Sequence, residues 1–454
     1  MRHVVFGIPS TTRKALIRVL LCFFMIMSAR SASGVSHVIH ISIDGLRGDL
    51  LESYINTSPL DYPNFKRFVD EGATTFNART DYSNTETLPN HTSMLTGRPV
   101  DQPSGTPNTT HHGYVDNGVP PPSATLHNSG NPNLSYVAST FDVVHDNGLS
   151  TALYASKDRF SLYEQSYNAT TGAPDTVGID NGRDKIDHHL ITTDFISMHT
   201  NYLSDMVAFE FNYSFLHYLL PDGVGHSAGW GSEAWNSSVR LMDEYMGDIL
   251  ELIDNHAAFA GDTIIILTAD HGGTGTGHGN ASTPANYTIP LLIWGAGVAP
   301  GADLYALNPI SRLNPGTGRP SYTATNQPIR NGDTGNLAIN LLGLVPISGS
   351  TINAQHDLLV ASAFEADFDA NQIVNLDDLI IWQTGFGIDT GATKAQGDAT
   401  SDGSVDGKDF LVWQRQYGAS LVNTLTAVPE PNSLILVFLG IFHLHHHFIR
   451  RRQE

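Results

Sequence analysis

Three stretches of this chain place carboxylates and imidazoles directly after apolar runs. In residues 264–279, IIILTADHGGTGTGHG, a buried-strand pattern ends at Asp270 and His271, and His278 follows a glycine-rich segment. Ligands gather outside the carboxyl ends of parallel strands, and a mixed set of carboxylates and imidazoles suits zinc. The stretch therefore indicates a metal site; the alternative is a strand end capped by a polar turn.

Two further apolar runs end in a similar way. Residues 37–43 are followed at once by Asp44, and a run that ends at Pro221 is followed by Asp222 and His226, which flank two glycines. A turn of that composition can direct both side chains at one ion. Asp44 on its own would more often be a turn residue, so its candidacy rests on the other stretches.

A hydroxyl nucleophile is suggested by residues 85–97, TETLPNHTSMLTG. We expect Pro89 to break the chain and the residues after it to form a helix. Thr87 is then either the N-cap of that helix or a nucleophile, which needs a base or a metal to lower the pKa of its hydroxyl. A helix N-terminus beside it would also favour a phosphate.

Two more polar residues are candidates for substrate contact. Residues 98–129 are rich in Pro, Gly, Asn and Thr and predict a loop. Within it, Asn117 is either a donor to a substrate oxygen or a turn residue. Lys157, which follows a predicted strand, is either a phosphate contact or a solvated lysine.

Composition excludes several classes of protein. The chain has 454 residues and a formal charge of −21, so binding of nucleic acid through a basic surface is not expected. Its single cysteine, Cys22, permits neither a disulfide framework nor a cysteine metal site.

Both ends of the chain predict export. Residues 1–33 have a basic flank, an apolar core and small residues near Ala32 and Ser33, as a signal peptide has. Residues 428–454 contain VPEP, an apolar transmembrane-like stretch and three terminal arginines. They resemble the bacterial PEP-CTERM sorting signal, for which an exosortase-type enzyme is the processing partner. We expect a location in the cell envelope or at the surface.

Residues 364–418 contain a duplicated unit, and its two copies align at an offset of 31. Each copy opens with an EF-hand-like loop of oxygen ligands, which suits calcium. The pair resembles a dockerin-type module, which implies a possible cohesin-like partner; an acidic disordered tail is the alternative. The candidate calcium ligands are Asp367, Asp369, Asn371, Asn375 and Asp378 in loop one, and Asp398, Thr400, Asp402, Asp406 and Asp409 in loop two.

Across residues 35–360 the motifs DG, TLPNH, DGVGH, ADHG and GHG together resemble the alkaline phosphatase superfamily, and most of all its type I phosphodiesterase/nucleotide pyrophosphatase branch. The resemblance implies an α/β domain with a mostly parallel central sheet flanked by helices, followed here by the small all-α calcium-binding module. It also implies two zinc sites, one with Asp44, Asp270, His271 and the nucleophile Thr87, the other with Asp222, His226 and His278.

The resemblance also implies the reaction. One ion would lower the pKa of the Thr87 hydroxyl, the second would activate water for a second displacement, and Asn117 would bind a non-bridging oxygen. We expect an exported phosphodiesterase or nucleotide pyrophosphatase with a phospho-threonine intermediate. The alternatives are a phosphomonoesterase or phosphonate hydrolase on the same scaffold, or a non-catalytic surface scaffold or adhesion protein.

Overall fold

The computed structural model describes residues 35–175, 177, 182–362, 364–400 and 402–419. They belong to two compact units, one ending at Ala361 and the other beginning at Ser362. The predicted signal peptide and the predicted sorting segment lie outside these residues. Within the described part of the chain, none of the helices combines the length and apolar character that a membrane crossing requires.

The first unit is organised around one eight-stranded sheet, with the strand order β4-β3-β5-β1-β6-β7-β2-β8. Only β7 runs antiparallel to its two neighbours, and the other pairs are parallel. The predicted mostly parallel sheet is therefore confirmed. The strands are β1 His37–Ile43, β2 Ala73–Arg79, β3 Thr151–Ala155, β4 His188–Ile191, β5 Tyr213–Tyr218, β6 Thr263–Thr268, β7 Thr288–Gly295 and β8 Ala302–Asp303.

The three strands β5, β1 and β6 are adjacent at the centre of the sheet, and every residue in them is buried. β1 and β6 are rich in β-branched residues and β5 in aromatic ones, and both kinds suit strands that are covered on both faces. Because these strands are parallel neighbours, their carboxyl ends open on the same edge of the sheet.

Helices flank the sheet. The longest, Glu233–Asn255, presents Trp235, Val239, Met242 and Met246 to the core at helical spacing. The other helices of the first unit are Gly48–Thr57, Pro63–Glu71, Thr87–Thr96, Leu126–Ser129, Thr140–His145, Ser161–Tyr167, Phe195–Phe209, Asp222–Ala228, Pro284–Tyr287, Leu304–Leu307 and Asp333–Leu341, together with a 3-10 turn at Asp158–Phe160.

Two local predictions were wrong. The helix Thr87–Thr96 begins at Thr87 itself and includes Pro89, which therefore does not break the chain. A proline is tolerated in the first turn because the N–H groups there have no acceptor within the helix. The segment Asp222–Ala228 is also a short helix rather than a turn, so Asp222 and His226 lie one helical turn apart on the same face.

The second unit is all-α, as predicted, with the helices Leu376–Gly385 and Gly407–Gln416 and a 3-10 turn at Lys394–Gln396. Its two copies exchange equivalent hydrogen bonds. The indole of Trp382 donates to the carbonyl of Asp406 at 3.0 Å, and that of Trp413 donates to the carbonyl of Asn375 at 2.9 Å. The two copies that repeat in the sequence therefore also make the same contact with each other in the structure.

Candidate active site

The carboxyl ends of the three central strands bring three aspartates together. Asp44 follows β1, and its carbonyl accepts a hydrogen bond from the backbone N–H of Asp222, which follows β5, at 2.9 Å. The N–H of Gly45 donates to a carboxylate oxygen of Asp270, after β6, at 3.1 Å. Gly45 has φ +73°, and a Cβ there would lie 2.9 Å from the Cα of Asp222, so only glycine permits this approach.

Asp44, Asp270 and His271 form the first ligand group, which we call the inner cluster. All three side chains are fully buried. The Nε2 atom of His271 lies 3.4 Å from Oδ1 of Asp44 and 3.3 Å from Oδ2 of Asp270, and none of these three atoms has a hydrogen-bond partner. Because Nδ1 of His271 faces the carbonyl of Gly272 at 2.8 Å and must carry a proton there, Nε2 presents a lone pair.

Asp222, His226 and His278 form the second group, which we call the rim cluster. Oδ1 of Asp222 lies 3.3 Å from Nε2 of His226 and 3.8 Å from Nε2 of His278. The two Nε2 atoms are 3.2 Å apart. Each ring directs Nδ1 at a carbonyl, His226 at Thr276 (3.0 Å) and His278 at Thr85 (2.7 Å). Both Nε2 atoms therefore present lone pairs to each other.

The two clusters adjoin. The rings of His271 and His278 stack with their centroids 3.6 Å apart, and the ligand atoms of Asp222, His271 and His278 lie within 4.8 Å of one another. The ammonium of Lys157 bridges the clusters, at 2.6 Å from Asp44 and 2.7 Å from Asp222. Lys157, predicted to be either a phosphate contact or a solvated lysine, is in contact here with these two carboxylates.

The electrostatics of this region explain why it suits cations. Burial and the Asp44 carboxylate raise the pKa of Asp270 well above its usual range. Burial also acts to raise the pKa of Asp44, but Lys157 and then His217 outweigh it and hold that pKa well below its usual range. Burial and His271 lower the pKa of His278 to about 4, which keeps the ring neutral. Buried carboxyl groups and neutral imidazoles whose polar atoms have no partner fit metal ions.

Thr87 lies beside the rim cluster in a pocket of about 380 Å³. Two hydrogen bonds join Thr85 to His278 of the rim cluster. The Thr85 hydroxyl donates to the carbonyl of His278, and the Thr85 carbonyl accepts from Nδ1 of the His278 ring. The pocket is lined by Glu86, Thr87, Asn117, Lys157, Arg159, Asp222, His226, Gly277, His278 and Gly279. The sequence-predicted nucleophile, amide and lysine are therefore brought together with the rim cluster.

Asn117 occupies this pocket with both ends of its amide engaged. Its Oδ1 accepts from the backbone N–H of Leu88 at 3.0 Å, at the start of the helix Thr87–Thr96, and its Nδ2 donates to the carboxylate of Glu86 at 2.7 Å. The first contact fixes Asn117 beside Thr87. The second contact means that Glu86 accepts from the same amide group that was predicted to donate to a substrate oxygen.

Four residues near the site were missed from the sequence. Glu86 and Arg159 line the pocket, and His217 holds Asp44 through Nε2 at 2.9 Å. His91 donates from Nδ1 to the carbonyl of Thr87, so its Nε2 accepts from the hydroxyl of Ser42. A signal existed for His217, a polar residue inside the fully buried strand β5. Glu86 and Arg159 adjoin predicted residues but have no pattern of their own.

The second unit contains a separate group of acids. In loop one the ligand atoms of Asp367, Asp369 and Asp378 lie within 4.8 Å of one another. Asn371 donates from Nδ2 to Asp369 at 2.8 Å, and Asn375 is the N-cap of the helix that follows. Gln372, at the position where loop two has Gly403, adopts φ 64° and so preserves the loop's turn.

Loop two repeats the same framework. Asp398 accepts from the N–H of Gly403 at 2.8 Å, and Asp409 accepts from the N–H of Asp406 at 2.8 Å and the hydroxyl of Thr400 at 2.9 Å. Asp406 caps the following helix. Asp402, by contrast, pairs with Lys408 at 2.7 Å, so the predicted ligands are not all directed at one point in this loop.

Comparison with known proteins connects the first unit to a family. The family model described as type I phosphodiesterase/nucleotide pyrophosphatase matches residues 38–291, which is more than half of the chain. This range begins in β1 and ends in β7, and it includes all six residues of the inner and rim clusters.

Individual relatives match shorter segments. GPI ethanolamine phosphate transferase 1 of Emericella nidulans is 36% identical over 91 residues, 20% of this chain and 10% of the relative. The human protein of that name is 32% identical over 84 residues, 18% of this chain and 9% of the relative. The chain thus spans only about a tenth of the length of these relatives.

Two solved structures show likeness at low identity. Murine ectonucleotide pyrophosphatase/phosphodiesterase 5 in complex with AMP is 15% identical with a TM-score of 0.48, covering 71% of this chain and 100% of that one. Alkaline phosphatase PafA is 14% identical with a TM-score of 0.46, covering 72% and 99%.

Proposed function

We propose that this chain, which belongs to the type I phosphodiesterase/nucleotide pyrophosphatase family, is a phosphate-ester hydrolase with Thr87 as its nucleophile. The Thr87 oxygen attacks phosphorus, the bond from phosphorus to the leaving alcohol breaks, and a phospho-threonine forms. Water then attacks the same phosphorus, the bond from phosphorus to the Thr87 oxygen breaks, one proton of the water restores the Thr87 hydroxyl, and the phosphate product leaves. The observation that carries this proposal is the position of Thr87 in one pocket with the rim cluster.

The inner and rim clusters would each hold one cation, and zinc suits their mixture of carboxylates and imidazoles. Bound cations would lower the pKa of the Thr87 hydroxyl and offset the charge of the phosphoryl group. The protein's own part is to hold the ligands in place. Burial and the hydrogen bonds from Gly45 and His217 fix Asp270 and Asp44, so these carboxylates need not reorganise during the reaction.

Lys157 and Asn117 complete the arrangement. The Lys157 ammonium is held between the two clusters, where it adds positive charge beside the site of attack. Asn117, fixed by its bond from the N–H of Leu88, would present its Nδ2 to a non-bridging oxygen. A donor aimed at that oxygen stabilises the charge that builds there in the transition state.

Family membership favours a diester or pyrophosphate substrate. One feature favours a second candidate, the phosphomonoesterase: two cationic side chains, Lys157 and Arg159, line the same pocket. A monoester carries one more negative charge than a diester and therefore gains more from a second cation. A monoester also lacks the second ester substituent of a diester, so the pocket needs no space for that group.

The test is a substrate panel on purified protein reconstituted with zinc. Wild type should release nitrophenol from bis-nitrophenyl phosphate or from nitrophenyl phosphate, and the ratio of kcat/KM separates the two candidates. Thr87→Ala should lower kcat by roughly a thousandfold or more, whereas Thr87→Ser keeps a hydroxyl and should retain part of the activity. Mass spectrometry of acid-quenched reactions should locate on Thr87 a phosphoryl group, which still carries its second nitrophenyl substituent when the substrate is the diester. Equal activity of Thr87→Ala and wild type would remove Thr87 from the mechanism.

We further propose that the chain is exported, with residues 1–33 as signal peptide, 35–360 as catalytic domain, 364–418 as a calcium-binding dockerin-like pair and 428–454 as a PEP-CTERM-like segment. The support is the sequence pattern at both ends and the duplicated loops. Recovery of the protein from the envelope fraction with an N-terminus near Ala32 would fit this proposal. Recovery of the intact chain from the cytoplasm would refute it.

A further inference from the structure

Glu86 directly precedes the proposed nucleophile and points into the same pocket. It is the N-cap residue of the helix Thr87–Thr96, yet its side chain makes no capping hydrogen bond. Instead its Oε2 accepts from Nδ2 of Asn117 at 2.7 Å, and its Oε1 lies toward Gly279. The carboxylate is thus held at the wall of the pocket rather than used to stabilise the helix.

This carboxylate has no cation of its own among the residues the structure describes, since neither a lysine nor an arginine there forms an ion pair with it. The pocket's two cationic side chains, Lys157 and Arg159, come from another segment, and Lys157 is committed to Asp44 and Asp222. The pocket therefore has a cationic wall and, on the side of His278 and Gly279, an unneutralised anionic group.

The Glu86 carboxylate also remains open to a further partner. A carboxylate offers about four lone-pair sites, and Asn117 occupies one of them. Gly279 leaves the Oε1 face clear, because a Cβ at that position would lie only 3.0 Å from Oε1 and cover it. A partner of positive charge would gain a charge-assisted hydrogen bond there, whereas a negatively charged substituent would be repelled.

We propose that Glu86 is a specificity-determining residue that selects phosphate esters carrying a cationic ammonium group on one substituent. The inference rests on the proposed function, because it assumes that phosphorus is attacked by Thr87 in this pocket. The phosphoryl group lies toward the clusters and Lys157, and the ammonium lies against Glu86. The substrate class is that of zwitterionic esters, in which an amino alcohol is joined to phosphate.

The experiment compares two diesters of equal shape, the nitrophenyl ester of phosphocholine and its uncharged isostere in which a tert-butyl group replaces the trimethylammonium. Wild type should prefer the cationic ester by about tenfold in kcat/KM. Glu86→Gln can still accept from Asn117 and so keeps the geometry, but it should bring this ratio close to one. Glu86→Lys should reverse the preference.

Glu251→Gln, an exposed residue on the helix Glu233–Asn255, is the matched control and should leave the ratio unchanged. Zinc content and thermal stability are measured for every variant to detect misfolding. An unchanged ratio in Glu86→Gln, or a wild-type ratio near one, would overturn the role of Glu86 while leaving the hydrolase intact. If wild type cleaved neither of these esters, and neither bis-nitrophenyl phosphate nor nitrophenyl phosphate, the proposed function itself would fail.

Discussion

The inner and rim clusters have similar ligand types but differ in their surroundings. All side chains of the inner cluster are fully buried, and Asp44 is held there by His217. In the rim cluster the side chain of His226 is 48% exposed, and the cluster opens on the pocket that contains Thr87. The inner cluster is thus positioned by the packing that forms the core. The rim cluster is positioned by a short helix and a loop, and its residues line the pocket that contains Thr87.

The largest effect is expected from the inner cluster. Asp270→Asn removes a fully buried carboxylate of the inner cluster, and we expect kcat/KM to fall by about a thousandfold or more. The protein should bind one zinc fewer, as measured by mass spectrometry of the metal content. The expected cause is loss of the ligand, so added zinc should not restore activity. Restoration of activity by millimolar zinc would show that the inner cluster does not hold its metal more tightly than the rim cluster.

His226→Ala should have a smaller effect, because its side chain is half exposed and water can replace a rim ligand. We expect a loss of about ten- to a hundredfold in kcat/KM at limiting zinc, largely recovered when zinc is raised. Zinc titration of activity measures this shift. A loss as large and as irreversible as that of Asp270→Asn would contradict the distinction between the clusters.

His217→Gln tests how far the inner cluster depends on its supporting hydrogen bond. The glutamine can still donate to Asp44, so we expect about a tenfold loss in zinc affinity and a modest fall in kcat. His217→Phe, which removes the donor, should cost more than Gln. Competition with a fluorescent chelator measures the affinity. Equal affinity in wild type and both variants would mean that burial alone holds Asp44.

The smallest effect on catalysis is expected from the second unit. Asp378→Asn changes an acid in the group with Asp367 and Asp369, so it should weaken calcium binding at loop one while leaving ester hydrolysis within about twofold of wild type. Calorimetric titration of the full chain with calcium, paired with the nitrophenyl ester assay, separates the two. A large fall in hydrolysis would show that the activity of the first unit depends on calcium binding by the second unit.

Much of the fold followed from local pattern. Largely apolar runs of strand length, each followed by an acid, predicted the strands β1, β5 and β6 because buried parallel strands are mostly apolar. The start of the helix at Thr87 was not predicted, since Pro89 interrupts helices except in the first turn. Whether Pro89 interrupts a helix or lies in its first turn depends on the packing around the segment. His217 was missed because one histidine in a buried strand does not show which neighbour it faces.

By itself, the sequence determined the ligand types, their order along the chain and the family to which they belong, because these depend on residue identity and local spacing. Tertiary structure decided which ligands share a cluster, that Lys157 bridges the two groups, and that Glu86 and Arg159 face the same pocket as Thr87. The physical reason is that these relations join residues far apart in the chain, across strand neighbours that are set by sheet order. Local propensity contains no information on such distances.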